Sequence, residues 1–313
     1  MDSESVGSLI ARAKSLFSSA ATLEVTLEAN PSTVEAKKFE AFKKAGVNRL
    51  SLGVQSLRDE ALSFLGRKHS AKDALKALDI ATTYFPRFSF DLIYARPHQT
   101  EAAWKEELEE ALRYAGGHLS LYQLTIEPQT AFATRMERGE QMTLENDPAA
   151  SLYHLTERMM EDAGLPAYEV SNYAQIGQEC RHNLLYWNFE DYIGIGPGAH
   201  GRITHNGIKY ATYRYKAPET WLAAVEKKGH GLESMLPLSK EERLQEVTLM
   251  GLRLTQGLSL ARLFDETGLT LDEAYPKLGA LEKEGLVSRT STHLVPSFEG
   301  RLRLNGLIAF LLK

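Results

Sequence analysis

Four times within the first 170 residues an apolar strand-like run alternates with a stretch of helical apolar spacing, and that rhythm admits very few architectures. Leu23, Val25 and Leu27 alternate with polar residues, as in a half-buried strand, and a helical run from Val34 to Ala45 follows and stops at Gly46. Arg49 to Val54, Phe88 to Tyr94 and Leu119 to Ile126 read as further strands, with helices predicted over residues 3–19, Ala71 to Tyr84 and Glu101 to Tyr114. Strands that alternate with helices of about 10 to 15 residues pair in parallel, with the helices outside and ligand groups at the strand ends. The expectation is an α/β fold in which residues 1–170 form an open, incomplete barrel.

Beyond that point the pattern changes. A helix is predicted over Pro148 to Ala163 and a short strand near Tyr168, after which residues 171–236 are rich in Asn, Tyr and Gly, with little periodicity before a helical run from Trp221 towards Pro237. This segment is expected to be a long loop or cap. Residues 237–313 suggest helices over 240–254, 259–266 and 271–284, then short strands around Val287 and Leu294, an order similar to a winged-helix domain.

Charge argues against nucleic acid and lipid surfaces as partners. The chain has a net charge of −5, and residues 238–313 hold ten Lys or Arg against ten Asp or Glu. A groove-binding module carries a positive excess. No stretch approaches the roughly 20 apolar residues of a membrane helix, and MDSESVGSLI lacks the basic start of an export signal. The expected compartment is the cytoplasm. The single cysteine, Cys180, excludes an internal disulfide and a thiolate zinc site.

Polar residues recur where the predicted strands end: Glu28, then Gln55 and Arg67, then Asp91, then Gln123 and Thr125. A carboxylate, an amide and a guanidinium converging on one mouth suit a ligand with an amino group, a carboxylate and a ribose, as in S-adenosylmethionine. Strand ends are also polar simply because they meet water.

The segments TLEANP (26–31), RLSLGVQS (49–56), LGRKHS (65–70), FDLIYARP (90–97) and LSLYQLTIEP (119–128) resemble the radical S-adenosylmethionine proteins of haem biosynthesis. HNLLYW (182–187) and YIGIGPGAHG (192–201) resemble the HemW haem-chaperone family, close relatives of the oxygen-independent coproporphyrinogen III oxidases. The resemblance covers essentially the whole chain. It implies that Glu28, Gln55, Arg67 and Asp91 contact S-adenosylmethionine, with Arg67 facing the methionine carboxylate, Glu28 and Asp91 facing amino or hydroxyl donors, and Thr125 at a further contact. In HNLLYW it implies a haem site in which His182 and Tyr186 lie four apart and Trp187 adds a flat surface. These residues could equally pin a loop to the barrel. The glycines of GIGPGAH permit a tight turn that would bring His200 against the ligand mouth.

The family carries a CxxxCxxC loop for a 4Fe-4S cluster and a Gly-Gly-Gly-Thr-Pro segment, and neither occurs here. By resemblance the chain corresponds to a relative lacking its first two βα units, with no catalytic or metal-ligating residue of its own and no reductive cleavage of S-adenosylmethionine. Cys180 reads as an inert thiol or, alternatively, as an axial haem thiolate. The leading expectation is a chaperone that binds haem or porphyrin and passes it to recipient haemoproteins. The alternatives are a coproporphyrinogen III oxidase and a binding protein without cofactor. Missing strands would leave an open sheet edge, from which dimerisation is expected.

Overall fold

Alternating apolar runs become the strands of one sheet in the first half of the chain. The computed structural model describes residues 2–17, 23–33 and 36–313, and it divides into two units at Glu179/Cys180. The segment 171–236 therefore falls across both. The expected helical positions 18, 19, 34 and 35 lie outside the described residues.

The first unit begins with helix α1 (Ser3–Leu16), strand β1 (Thr26–Ala29) and helix α2 (Ala36–Ala45). Next come β2 (Arg49–Gln55), α3 (Asp59–Phe64), α4 (Ala71–Tyr84), β3 (Phe88–Tyr94), α5 (Glu101–Leu112) and β4 (His118–Gln123). Helices α6 (Ala131–Glu137) and α7 (Asn146–Asp162) then lead to β5 (Ala167–Glu169) and β6 (Asn172–Ala174). The sheet order is β1-β2-β3-β4-β6-β5. The first four strands are parallel, and β6 and β5 continue the sheet antiparallel. The short strand expected near Tyr168 is thus half of a hairpin.

Local chemistry starts the helices where the sequence suggests. Ser70 and Asp73 form a reciprocal capping box at the head of α4, and Thr100 Oγ1 accepts a hydrogen bond from the Ala103 amide at 3.2 Å to begin α5. One face of the sheet is apolar. Leu50, Leu52 and Val54 of β2, and Phe90 and Leu92 of β3, pack with Ala77 and Leu78 of α4 and Trp104 and Leu108 of α5. Each fully buried Leu or Phe side chain contributes about 1.5–3 kcal/mol of transfer free energy. Trp104 stacks on Tyr94 at 4.9 Å, and its indole N–H donates to Thr156 Oγ1 at 2.8 Å.

The other face is polar. Ser51 pairs with Ser89 and Asp91 with Ser120, and since side chains alternate along a strand, Arg49 and His118 share this face with them. Ser89 Oγ lies 2.7 Å from His118 Nδ1, and Ser120 Oγ donates to Asn172 Oδ1 at 2.6 Å. A parallel sheet closed by apolar layers on both sides would instead show Val, Ile and Leu here.

The second unit contains α8 (Arg181–Trp187), β7 (His200–His205), β8 (Ile208–Arg214), α9 (Pro218–Lys228) and β9 (Leu232–Pro237). Strands β7, β8 and β9 form an antiparallel sheet. The helical run predicted from Trp221 towards Pro237 ends at Lys228 because Gly229 adopts a left-handed cap with φ 77°. Helices α10 (Lys240–Gly251) and α11 (Leu260–Thr267) flank β10 (Leu258–Ser259). The helix expected over 271–284 is interrupted at Pro276, giving α12 (Leu271–Ala274) and α13 (Leu278–Lys283). Strands β11 (Val287–Arg289) and β12 (His293–Pro296), then α14 (Phe298–Leu302) and α15 (Leu304–Leu311), complete the chain. The order β10-β12-β11 beside these helices is winged-helix-like. Buried Lys209 on β8 holds the unit together, reaching Glu266 of α11 and the Phe189 carbonyl, each at 2.8 Å. Among the described residues no helix is long and apolar enough to cross a membrane.

Candidate functional site

Gln55, the last residue of β2, has a left-handed backbone with φ 71°, and the register shifts between Leu52 and Gln55. This irregularity turns the Gln55 side chain towards β3, where Nε2 donates to Asp91 Oδ2 at 2.8 Å. The Val54 amide donates to the other carboxylate oxygen at 3.0 Å. Desolvation pushes the Asp91 carboxyl up to about 6, and the two donors and the charge of Arg67 only partly oppose it. Arg67 therefore acts on the same carboxyl while its own side chain stays exposed.

Arg67 reaches this end through a turn after α3, where Gly66 has φ 70° and the Arg67 amide donates to the Leu62 carbonyl at 2.8 Å. Buried His69 ties the turn to β2, its Nε2 lying 3.0 Å from the Val54 carbonyl. Glu28 lies opposite Ser51 on the polar face of β1 and is exposed. A Cβ at Gly53 would come within 3.2 Å of Gln55 Nε2 and 3.3 Å of Asn30 Oδ1, so glycine keeps this floor open. Gln55 and Asp91 are thus brought together, with the charge of Arg67 acting on the same carboxyl and Glu28 on the same sheet face. Thr125 lies beyond β4, exposed, with its hydroxyl donating to the Gln123 carbonyl at 3.3 Å.

Three residues that hold these tips, His69, Glu107 and Arg96, escaped the sequence reading. Glu107 of α5, fully buried, accepts from the Leu57 amide at 2.9 Å and from the Ser56 hydroxyl. Arg96 donates to Ser56 Oγ at 2.9 Å and to Glu107 Oε2 at 2.6 Å. The turns after β2 and β3, where Gln55 and Ala95 both have positive φ, are locked to one carboxylate. Glu107 sits within EELEE, where its neighbours give no sign that this one glutamate points inward.

In the second unit, α8 is the HNLLYW segment, expected to lie in a loop. His182 is exposed at its start, with its ring edge-to-face on Tyr186 at 4.5 Å, and Tyr186 makes the same kind of contact with Tyr192 at 4.3 Å. Trp187 faces elsewhere. The Arg253 guanidinium covers its ring at 4.6 Å, and its buried indole nitrogen has no hydrogen-bond partner. His200 opens β7 and is exposed, with its ring 4.8 Å from Tyr213. A Cβ at Gly194 would sit 2.2 Å from the His200 carbonyl oxygen, so only glycine allows the turn that places it. Among the described residues no ring contact joins His200 to the rings of α8. Cys180 is buried immediately before α8.

Comparison with known proteins places this geometry in context. Residues 5–112 match the Radical SAM superfamily, and residues 238–303 match the HemN C-terminal domain. The heme chaperone HemW of Escherichia coli K12 is 35% identical over 295 residues, covering 94% of this chain and 76% of that protein. HemW of Bacillus subtilis 168 is 34% identical, covering 92% and 76%. The mitochondrial radical S-adenosyl methionine domain-containing protein 1 of Bos taurus is 39% identical, covering 92% and 67%. Among solved structures, the coproporphyrinogen III oxidase HemN of Escherichia coli, a radical SAM enzyme, aligns with a TM-score of 0.79 at 19% identity, covering 99% of this chain and 74% of that one. That likeness shows the shared α/β fold, a partial radical-SAM barrel followed by a C-terminal domain. With 34–35% of the aligned residues identical to HemW proteins over 76% of their length, this chain belongs to the HemW-like family of radical SAM proteins.

Proposed function

We propose that this chain is a cytoplasmic haem-binding chaperone of the HemW type, which holds S-adenosylmethionine at the strand tips of its first unit and haem on the exposed side of α8 for delivery to haemoproteins. The observation that carries the haem assignment is the exposed His182 ring at the head of an aromatic series, Tyr186 and Tyr192. A solvent-facing imidazole can ligate haem iron axially, and edge-on tyrosines flank it with apolar surface.

The first unit's residues fit S-adenosylmethionine. Arg67, exposed beside the Asp91 carboxyl, suits the methionine carboxylate; Asp91 and Glu28 suit the amino group or ribose hydroxyls. The open floor at Gly53 lets a ligand approach the backbone. Thr125 and His200 are assigned as supporting contacts. The donor set does not fit an iron–sulfur cluster, because the chain's one cysteine does not supply the required thiolates. No electron transfer or sulfonium cleavage is assigned to these residues.

The second reading, a coproporphyrinogen III oxidase, is supported by fold alone. Haem titration separates the two. The chaperone reading expects a Soret shift with the wild-type chain that His182→Ala abolishes, with no porphyrinogen turnover by either. Porphyrinogen turnover by a version of the chain carrying a CxxxCxxC cluster loop would support the oxidase, and a flat titration leaves only a binding protein without haem.

A further inference from the structure

We infer that the opposite end of the same sheet, where the strands begin, carries an oxyanion site built on Arg49 and Thr26, which takes a single carboxylate or phosphate group. Arg49 is only 4% exposed and lies on the polar face at the start of β2. Among the described residues its guanidinium makes no hydrogen bond and no ion pair. A guanidinium cannot shed its proton, and a charge withdrawn from water without a counter-charge is strongly disfavoured.

Thr26, its register partner on β1, has a hydroxyl oxygen that is likewise buried without a hydrogen-bond partner. Side chains paired across neighbouring strands stand about 5 Å apart. Two orphaned donors therefore sit side by side, one of them permanently cationic.

The surrounding groups leave this charge unanswered. Glu24 faces Arg87 at 2.9 Å, and Arg87 also donates to the Gln178 side chain at 3.1 Å and to the Glu179 carbonyl at 3.1 Å. His118 is occupied on both nitrogens, by Ser89 at 2.7 Å and Tyr168 at 2.9 Å. Burial, with the charges of Arg49 and Arg87, keeps that ring neutral, its pKa lowered to about 3. Glu169, the other buried acid on this side, accepts from Asn172 at 2.5 Å and from the Ser171 amide at 2.8 Å. The cleft at this end is narrow, walled by Arg49, Arg87, His118 and Gln178 over Gly116 and Gly117. A guanidinium grips a single oxyanion group through two parallel N–H donors.

Thermal unfolding of the whole chain tests this, with inorganic phosphate or acetate titrated against chloride at fixed pH and ionic strength. The wild type is expected to show a saturable rise in Tm with phosphate, acetate or both, beyond chloride; the more effective anion assigns the class. Arg49→Met should abolish the rise and, with the unpaired charge gone, melt no lower than the wild type in chloride. Thr26→Val should raise the half-saturating concentration several-fold. An equal response to chloride in the wild type, or an oxyanion response retained by Arg49→Met, overturns the site. Should Arg49→Met fail to fold, an undiminished response in Thr26→Val overturns it as well.

Discussion

Replacing Asp91 with asparagine should make the first unit more stable at neutral pH while leaving it nearly unchanged in mild acid. In the folded protein the carboxyl is pushed from its ordinary 3.8 up to about 6. The native state therefore holds this proton more tightly than the unfolded chain does. The stabilisation from the neutral acid is fully present below pH 3.8 and is lost as the pH rises through 6. The difference corresponds to up to about 3 kcal/mol. Asparagine does not titrate, its oxygen still accepts from the Val54 amide, and Gln55 can rotate its amide to answer the new donor. Urea unfolding between about pH 4.5 and pH 7.5, read from the fluorescence of Trp104 with Trp187 and Trp221 replaced by Phe, isolates the first unit. The Asp91→Asn advantage should grow by most of that 3 kcal/mol across the range. Curves for the two proteins that stay parallel within about 0.5 kcal/mol would refute the desolvation argument.

The lock behind the site should be costly to break. Glu107→Gln leaves the Arg96 guanidinium buried without its counter-charge and should cost about 3–5 kcal/mol of unfolding free energy; the pair Arg96→Met with Glu107→Leu should recover part of this, and a single-variant loss below about 1 kcal/mol would count against the lock. Among the described residues strand β1 pairs only with β2 and forms one edge of the sheet. Sedimentation should therefore show concentration-dependent self-association, and a strictly monomeric profile at every concentration would show that this edge is inert.

The strands and helices of the parallel sheet were legible because their apolar periods are strong. Phe88 to Tyr94 and Ala71 to Tyr84 coincide with β3 and α4. The segment after residue 171 was opaque for a physical reason. Strands such as His200–His205 expose much of both faces, so their alternation carries little apolar contrast. HNLLYW folds as α8 without burying any residue completely, and such a helix leaves no apolar stripe to recognise. At the site, the residues that would touch a ligand could be listed from strand ends. The groups that aim them, Glu107, Arg96 and His69, are joined by contacts between distant segments, and neither local propensity nor spacing encodes those.

The sheet's two unlike faces also shape how this protein could change. An ordinary closed barrel fills its middle with branched aliphatic side chains, whereas Ser51, Ser89, His118 and Ser120 occupy the equivalent rows here. Cohesion therefore rests mainly on the helix-facing layer. Swapping the serines for valine would harden the fold and make its polar face apolar, so selection for sturdiness and selection for holding a polar guest pull these positions in opposite directions.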